Sequence, residues 1–183
     1  MIFLARLSEL AAPVSADGAI TTLAVTQAAL AGFDRSTLPR VTDSLFLARG
    51  LLGNESHSPT LPAAERGFCV AVGEHLESML RENSWLDIVL HGDPWIGGNL
   101  IQTTLGPKLV DFEAACTGPA EWDLSSLGDI ANDAEGVDRD LLGTCRLLRS
   151  FTVAAWCWTQ PDRAPEVAKA ADWHLRALHN SFD

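Results

Sequence analysis

The stretch VLHGDPWIGGN, Val89 to Asn99, sets a histidine, a glycine and an aspartate behind a short apolar run and an asparagine six positions beyond that aspartate. A carboxylate such as Asp93 can orient or deprotonate an attacking hydroxyl. Asn99 and, further on, Asp111 offer the hard oxygen donors that magnesium selects, completing its octahedron with water and substrate phosphates. Each residue also has a plainer reading. An aspartate after a strand and an asparagine before one are common turn formers. Asp111, inside KLVDF, is harder to dismiss, because an acidic side chain in an apolar β-run needs a partner or an ion.

The elements that must position these residues can be read from periodicity. LDIVLH at 86–91, NLIQT at 99–103 and KLVDF at 108–112 are short β-type runs, the last two joined by TLGP. Paired as an antiparallel hairpin, they bring Asn99 and Asp111 close across the ladder, so that two oxygen ligands face one site. Helical patterns lie on both sides. Phe68, Val72, Leu76, Met79 and Leu80 recur at helical spacing and predict an amphipathic helix over 63–82. Earlier patterns run through TTLAVTQAALAGF, after an interruption from Pro13 to Gly18, and from Leu38 to Leu52, followed by a loop from Gly53 to Pro62. Downstream, Pro119 introduces AEWDLSSLGDIA, Asp138 caps a long helix over 139–159, and Pro165 opens a last one towards Asn180. The expected class is α+β and mostly helical, with residues 1–183 forming a single domain around one small β element.

Composition narrows the partners. Asp and Glu outnumber Lys and Arg by 24 to 13, a net charge of -11 that repels phosphate backbones and anionic membranes alike. Neither nucleic acid nor a membrane is expected as a partner, and a small molecule is. Cys69, Cys116, Cys145 and Cys157 form no CxxC pair, which argues against zinc or a redox motif and for buried reduced thiols. The apolar run from Leu141 to Trp158 is interrupted by Arg146 and Arg149, and MIFLARLSELAAP is a poor signal peptide, broken by Arg6 and Glu9. A cytoplasmic location is the expectation.

HGD at 91–93, Asn99, and LVDFEAACTGPAEWDLSSLG at 109–128 together resemble the aminoglycoside phosphotransferase and choline kinase-like enzymes, relatives of the protein kinases. The ordered succession of HGD, Asn, DFE, GP and EWDL is far more specific than any one piece. The resemblance implies the C-terminal lobe of a protein kinase-like fold and ATP-dependent transfer of a γ-phosphoryl group to a hydroxyl of a small molecule. It implies Asp93 as catalytic base, Asn99 and Asp111 as Mg2+ ligands, and His91 and Asp123 as support for the loop. Asp123 is expected to accept hydrogen bonds from a loop's backbone amides out of a helix's first turn.

Two departures from that pattern stand out. The kinase catalytic loop has four residues between its Asp and Asn, whereas five separate Asp93 from Asn99, an excess that Gly97 and Gly98 could absorb. Where many relatives carry a second histidine, this chain has Trp95, an apolar plug or a substrate-facing ring. The larger departure is upstream: Lys108 and Lys169 both follow Asp93, no glycine-rich loop precedes His91, and Met1 opens an apolar segment without a cap. The sequence-based expectation is that the nucleotide-binding N-lobe is absent and that this chain is weakly active or inactive. The rival expectation is a non-catalytic binding module derived from a kinase C-lobe, self-associating through the face an N-lobe would cover.

Overall fold

The computed structural model describes residues 13–160 and 162–182, so the apolar start at Met1 lies outside the described residues. The chain gathers into two compact units, Met1–Pro39 with Trp85–Leu142, and Arg40–Ser84 with Gly143–Asp183.

The first unit carries the motif residues. Helix α1, Ala16–Leu30, starts inside the stretch expected to interrupt it. Ser15 explains the difference: its Oγ accepts the Gly18 N–H at 3.1 Å and satisfies one of the amides a helix start leaves without a partner. Helix α1 buries Ala19 and Leu23 in a core shared with Val14, Leu100, Leu127, Ala131 and Leu142.

The expected single β element is two separate two-stranded sheets. Strand β1, Ile88–Leu90, pairs antiparallel with β4, Cys116–Gly118, a strand the sequence did not announce. Strand β2, Leu100–Thr103, pairs antiparallel with β3, Gly106–Leu109, with Leu100 opposite Leu109 and Thr103 opposite Gly106. The turn between them holds Thr104 and Leu105, and Gly106 takes φ +95 just after it, a conformation that a residue with a Cβ resists. β3 therefore starts two residues earlier than KLVDF predicts and ends at Leu109, leaving Asp111 outside the strand.

After β4, Pro119 stands at the N-cap of the short helix α4, Ala120–Leu124, which runs into 3-10 turns over Ser125–Asp133 broken at Gly128 (φ 61). Asp138 caps α5, Arg139–Trp158, as the sequence suggests: its Oδ1 accepts the N–H groups of Asp140 at 3.0 Å and Leu141 at 3.1 Å.

The second unit is helical. It contains α2, Val41–Gly53, α3, Ala63–Glu82, with the bounds its periodicity predicts, most of α5, and α6, Pro165–Phe182. Leu45, Leu52, Leu76, Phe151 and Leu178 are buried in it. The loop between α2 and α3 is tied by Arg66, whose guanidinium donates to the carbonyls of Leu52, Ser58 and Leu61 and to the Ser58 hydroxyl at 2.7 to 3.1 Å. All four cysteines are buried and none forms a disulfide, and desolvation pushes the Cys69 thiol up to about 12, the behaviour of an inert core thiol. No helix among the described residues is long and apolar enough to cross a membrane.

His174 on α6 gives this unit a pH dependence. Burial pushes its pKa down from 6.5 to about 4, and its Nδ1 is buried without a hydrogen-bond partner. As pH falls below 6.5 the unfolded chain takes up a proton that the native imidazole refuses, so stability declines between about 6.5 and 4. Urea midpoints measured at neutral pH and at pH 5 should fall further in the natural protein than in His174→Leu; equal falls would remove His174 from the account.

Candidate active site

His91, Gly92 and Asp93 follow β1 directly, and a buried carboxylate holds their backbone. Asp123, on the first turn of α4 and fully buried, accepts the His91 N–H on Oδ2 at 3.0 Å and the Gly92 N–H on Oδ1 at 2.8 Å. Two charge-assisted bonds to successive amides fix the direction in which the loop leaves the strand. The Gln27 side chain of α1 reaches the same Oδ2 at 3.4 Å.

The His91 ring, also fully buried, ties this loop to the far end of the hairpin. Its Nε2 lies 2.9 Å from the Val110 carbonyl, and its Nδ1 lies 3.3 Å from the Asp93 N–H. A carbonyl only accepts and an amide N–H only donates, so the imidazole sits as the Nε2–H tautomer. Phe112 packs on the ring with centroids 4.5 Å apart.

Gly92 has φ +91, and a Cβ there would fall 1.9 Å from the Ala114 carbonyl oxygen. The segment after Asp111 thus passes against the loop's backbone at a distance that only glycine permits.

Asn99 closes the loop. Its Nδ2 donates to the Asp93 carbonyl at 2.8 Å and faces Asp93 Oδ2 at 3.3 Å, leaving its Oδ1 as the side chain's acceptor. The five intervening residues are taken up by a compact turn in which the Trp95 carbonyl accepts the N–H groups of Gly98 and Leu100, with Gly97 at φ +86. The extra residue therefore does not part Asn99 from Asp93.

Asp111 is placed differently from its sequence-based expectation. It is exposed, with φ 64, the only non-glycine positive φ among the described residues. No apolar strand buries this carboxylate, because β3 ends at Leu109 and Asp111 lies beyond it. The ladder's last bond is the Val110 N–H to the Asn99 carbonyl at 2.9 Å, and the chain then turns, with the Ala115 N–H donating to the Phe112 carbonyl. Antiparallel register sets Val110 opposite Asn99, so Asp111 follows immediately on the residue facing Asn99. An aspartate in the left-handed region is tolerated more readily than most residues, and such backbone strain gathers at functional sites.

Sequence reasoning missed the contacts of Val110, Phe112 and Gln27 and the whole of β4. The first two lie inside the quoted LVDFEA motif and could have been suspected, whereas nothing in the spacing of Gln27 points to Asp123.

No known family model matches the sequence, and no curated protein does. Solved structures do match. Choline kinase LicA from Streptococcus pneumoniae superposes with a TM-score of 0.62 at 14% identity, over 94% of this chain and 68% of that one. A choline kinase from Cryptosporidium parvum Iowa II gives 0.63 at 10% identity, over 92% and 67%. The chain has the choline kinase fold. Wild-type aminoglycoside 2′-phosphotransferase-IIIa, in its GDP complex, shares it with a TM-score of 0.58 at 12% identity, over 91% of this chain and 62% of that one. The chain thus spans about two thirds of the length of these proteins. Within the choline kinase fold, mostly helical with two small sheets is compatible with the larger lobe of a protein kinase-like architecture.

Proposed function

We propose that this chain is the larger lobe of a phosphotransferase that moves the γ-phosphoryl group of a nucleotide, ATP by preference of the resemblance, to a hydroxyl of a small molecule. The observation that carries the reading is the contact of Asn99 with Asp93, in a loop whose backbone Asp123 fixes and whose exit His91 ties to Val110. Phosphoryl transfer asks little covalent chemistry of a protein; catalysis there is positioning and charge neutralisation. Asp93 takes the role of base, receiving the acceptor's hydroxyl proton on its carboxylate. Asn99 orients that carboxylate through Nδ2 while its Oδ1 is available to a cation.

The donor set suits magnesium. Among the described residues no three His, Cys, Asp or Glu side chains gather into a metal cage. Mg2+ does not need one, since one or two protein oxygens plus water and phosphate oxygens complete its octahedron. Asn99 and Asp111 would hold it. When bound, it neutralises charge on the transferred phosphoryl group. His91 and Asp123 support the loop and touch neither reactant.

A choline kinase and a kanamycin-bound aminoglycoside phosphotransferase among the matching structures support a small-molecule acceptor, and AMP and GDP complexes support a nucleotide donor. Lys108 and Lys169, the chain's only lysines, both follow Asp93. Lys108 lies on β3 and Lys169 on α6, so neither stands on a strand ahead of the catalytic loop, where a kinase lysine holds the phosphates, and we expect weak or no turnover from these 183 residues by themselves. The test is calorimetric titration of the protein with magnesium and ATP, repeated on Asp111→Ala. Binding that disappears in the variant is the expected result, and absence of binding in the natural protein would sink the reading.

A further inference from the structure

Asp123 holds the catalytic loop from a short support. Helix α4 has five residues, Ala120–Leu124, too few to keep a conformation without neighbours. Both oxygens of its buried carboxylate are nevertheless committed, Oδ2 to the His91 N–H and Oδ1 to the Gly92 N–H. Rotation about the last side-chain bond breaks both contacts at once, and torsions of that kind have broad, shallow wells. A group on another element is needed to fix the plane of the carboxylate.

Gln27 stands where such a group belongs. Its Nε2 lies 3.4 Å from Asp123 Oδ2, across 96 positions of sequence. A carboxylate only accepts, so the amide end of the side chain faces it. Helix α1 is a firm base for the contact: it runs for 15 residues and is seated in the core by Ala19 and Leu23. Gln27 is four residues beyond Leu23, on the same face of the helix, and is half-buried. A hydrogen bond to an ionised acceptor is stronger than one between neutral groups, and in a buried place no water replaces the donor once it is lost.

We propose that Gln27 is a positioning residue of this site, holding the Asp123 carboxylate in the orientation at which its two oxygens serve the His91 and Gly92 amides and so fix where the loop presents Asp93. Gln27 touches neither reactant and moves no proton. What the held loop does rests on the phosphotransferase reading; the holding itself does not.

The test is amide hydrogen exchange in the 183-residue protein, in Gln27→Leu and in Gln27→Glu, each checked for folding by its thermal melt. In Gln27→Leu the His91 and Gly92 amides exchange about tenfold faster or more, the low end for a hydrogen bond to a charged group. Thr117, whose N–H donates to the Pro39 carbonyl at 2.8 Å in the same unit, keeps its rate. Gln27→Glu sets a second carboxyl beside Asp123, and like charges so close raise the apparent pKa of the pair above the ordinary carboxylate range. Below that value the shared proton restores the bond and the protection; above it the two carboxylates repel and protection is lost. Protection is compared at about pH 6 and about pH 8.5, on either side of such a raised value, each relative to the natural protein at the same pH so that the His174 contribution cancels. Equal exchange in the natural protein and Gln27→Leu, acceleration of Thr117 together with His91 and Gly92, or protection in Gln27→Glu that does not fall with rising pH overturns the proposal. If Gln27→Leu fails to fold, the pH response of Gln27→Glu decides alone. With a nucleotide-binding lobe joined to the chain, Gln27→Leu also lowers kcat, and Gln27→Glu loses kcat as pH rises. Fast His91 and Gly92 exchange in Gln27→Leu beside full turnover in Asp93→Asn leaves Gln27 in place and removes the reaction. Unchanged exchange beside lost turnover in Asp93→Asn removes Gln27 and leaves the reaction standing.

Discussion

With this chain joined to a nucleotide-binding lobe, Asp93→Asn lowers turnover by about 10² to 10⁴, the range that positioned general bases contribute, and leaves magnesium–ATP binding within a small factor of the natural value. The two effects separate because the substitution keeps the shape of the side chain. An amide oxygen can still accept from Asn99 Nδ2, now 3.3 Å from the carboxylate, so the loop retains its closure. The backbone is fixed elsewhere, by Asp123 on the His91 and Gly92 amides, and is not disturbed. The amide cannot take up the acceptor's proton. Steady-state kinetics with a responding acceptor should show the loss in kcat rather than KM, because the interaction is needed most where the proton moves. Turnover within about threefold of the natural protein, well below the range of general-base effects, would mean that Asp93 is a loop residue and not the base. Asp123→Ala offers a contrast: it should lower stability together with activity, since a buried carboxylate serving two amides is lost.

The uneven legibility of the sequence has physical causes. Helix α3 was readable to the residue because one face alternates with charged positions over 20 residues, giving the period many repeats to declare itself. The caps Ser15 and Asp138 illustrate the two outcomes of a local signal. Asp138 precedes a long apolar pattern that marks it as a cap; Ser15 precedes Asp17 and Gly18, a charged residue and a poor helix former, which disguise the helix start. The short strands were the least legible. β1 and β4 are three residues each, too short for alternation, and their pairing joins positions 88–90 to 116–118, a relation set by tertiary packing and not by neighbouring residues. Gly106 and Pro107 have the character of turn residues and are strand residues, so β3 starts earlier than KLVDF predicts and Asp111 falls beyond its end.

The site itself was legible by type and order. His91, Asp93, Asn99, Asp111 and Asp123 were all singled out because HGD, Asn, DFE and EWDL occur in succession. Which atoms meet was not. Whether five intervening residues still allow Asn99 to reach Asp93 depends on the turn that Trp95 makes with Gly98 and Leu100, and on the positive φ of Gly97. Spacing gives the number of residues, while the reach of a side chain depends on the angles they adopt.

Gly92→Ala is the harshest small change expected anywhere in the first unit. Two independent costs coincide at this position. The φ of +91 is one that an L-residue with a Cβ adopts only under strain. The added methyl would also meet the Ala114 carbonyl oxygen at 1.9 Å and its carbon at 2.7 Å, both backbone atoms that no rotamer change can move. Strain of about 1 to 3 kcal/mol and overpacking of a similar size sum to about 2 to 6 kcal/mol, a large part of an ordinary domain's stability. The chain can relieve the overlap by moving the loop off Asp123 or by shifting the segment that carries Asp111 and Phe112. Either movement separates groups the proposed chemistry needs together. Amide hydrogen exchange should therefore show the His91 and Gly92 region, protected in the natural protein by its bonds to Asp123, becoming fast in Gly92→Ala. Magnesium–ATP binding should weaken in parallel. If the variant melts within about 1 kcal/mol of the natural protein, less than either cost alone requires, and keeps both its protection and its binding, the close approach of Ala114 to this loop is wrong, and with it the account of how Asp111 is brought near Asn99.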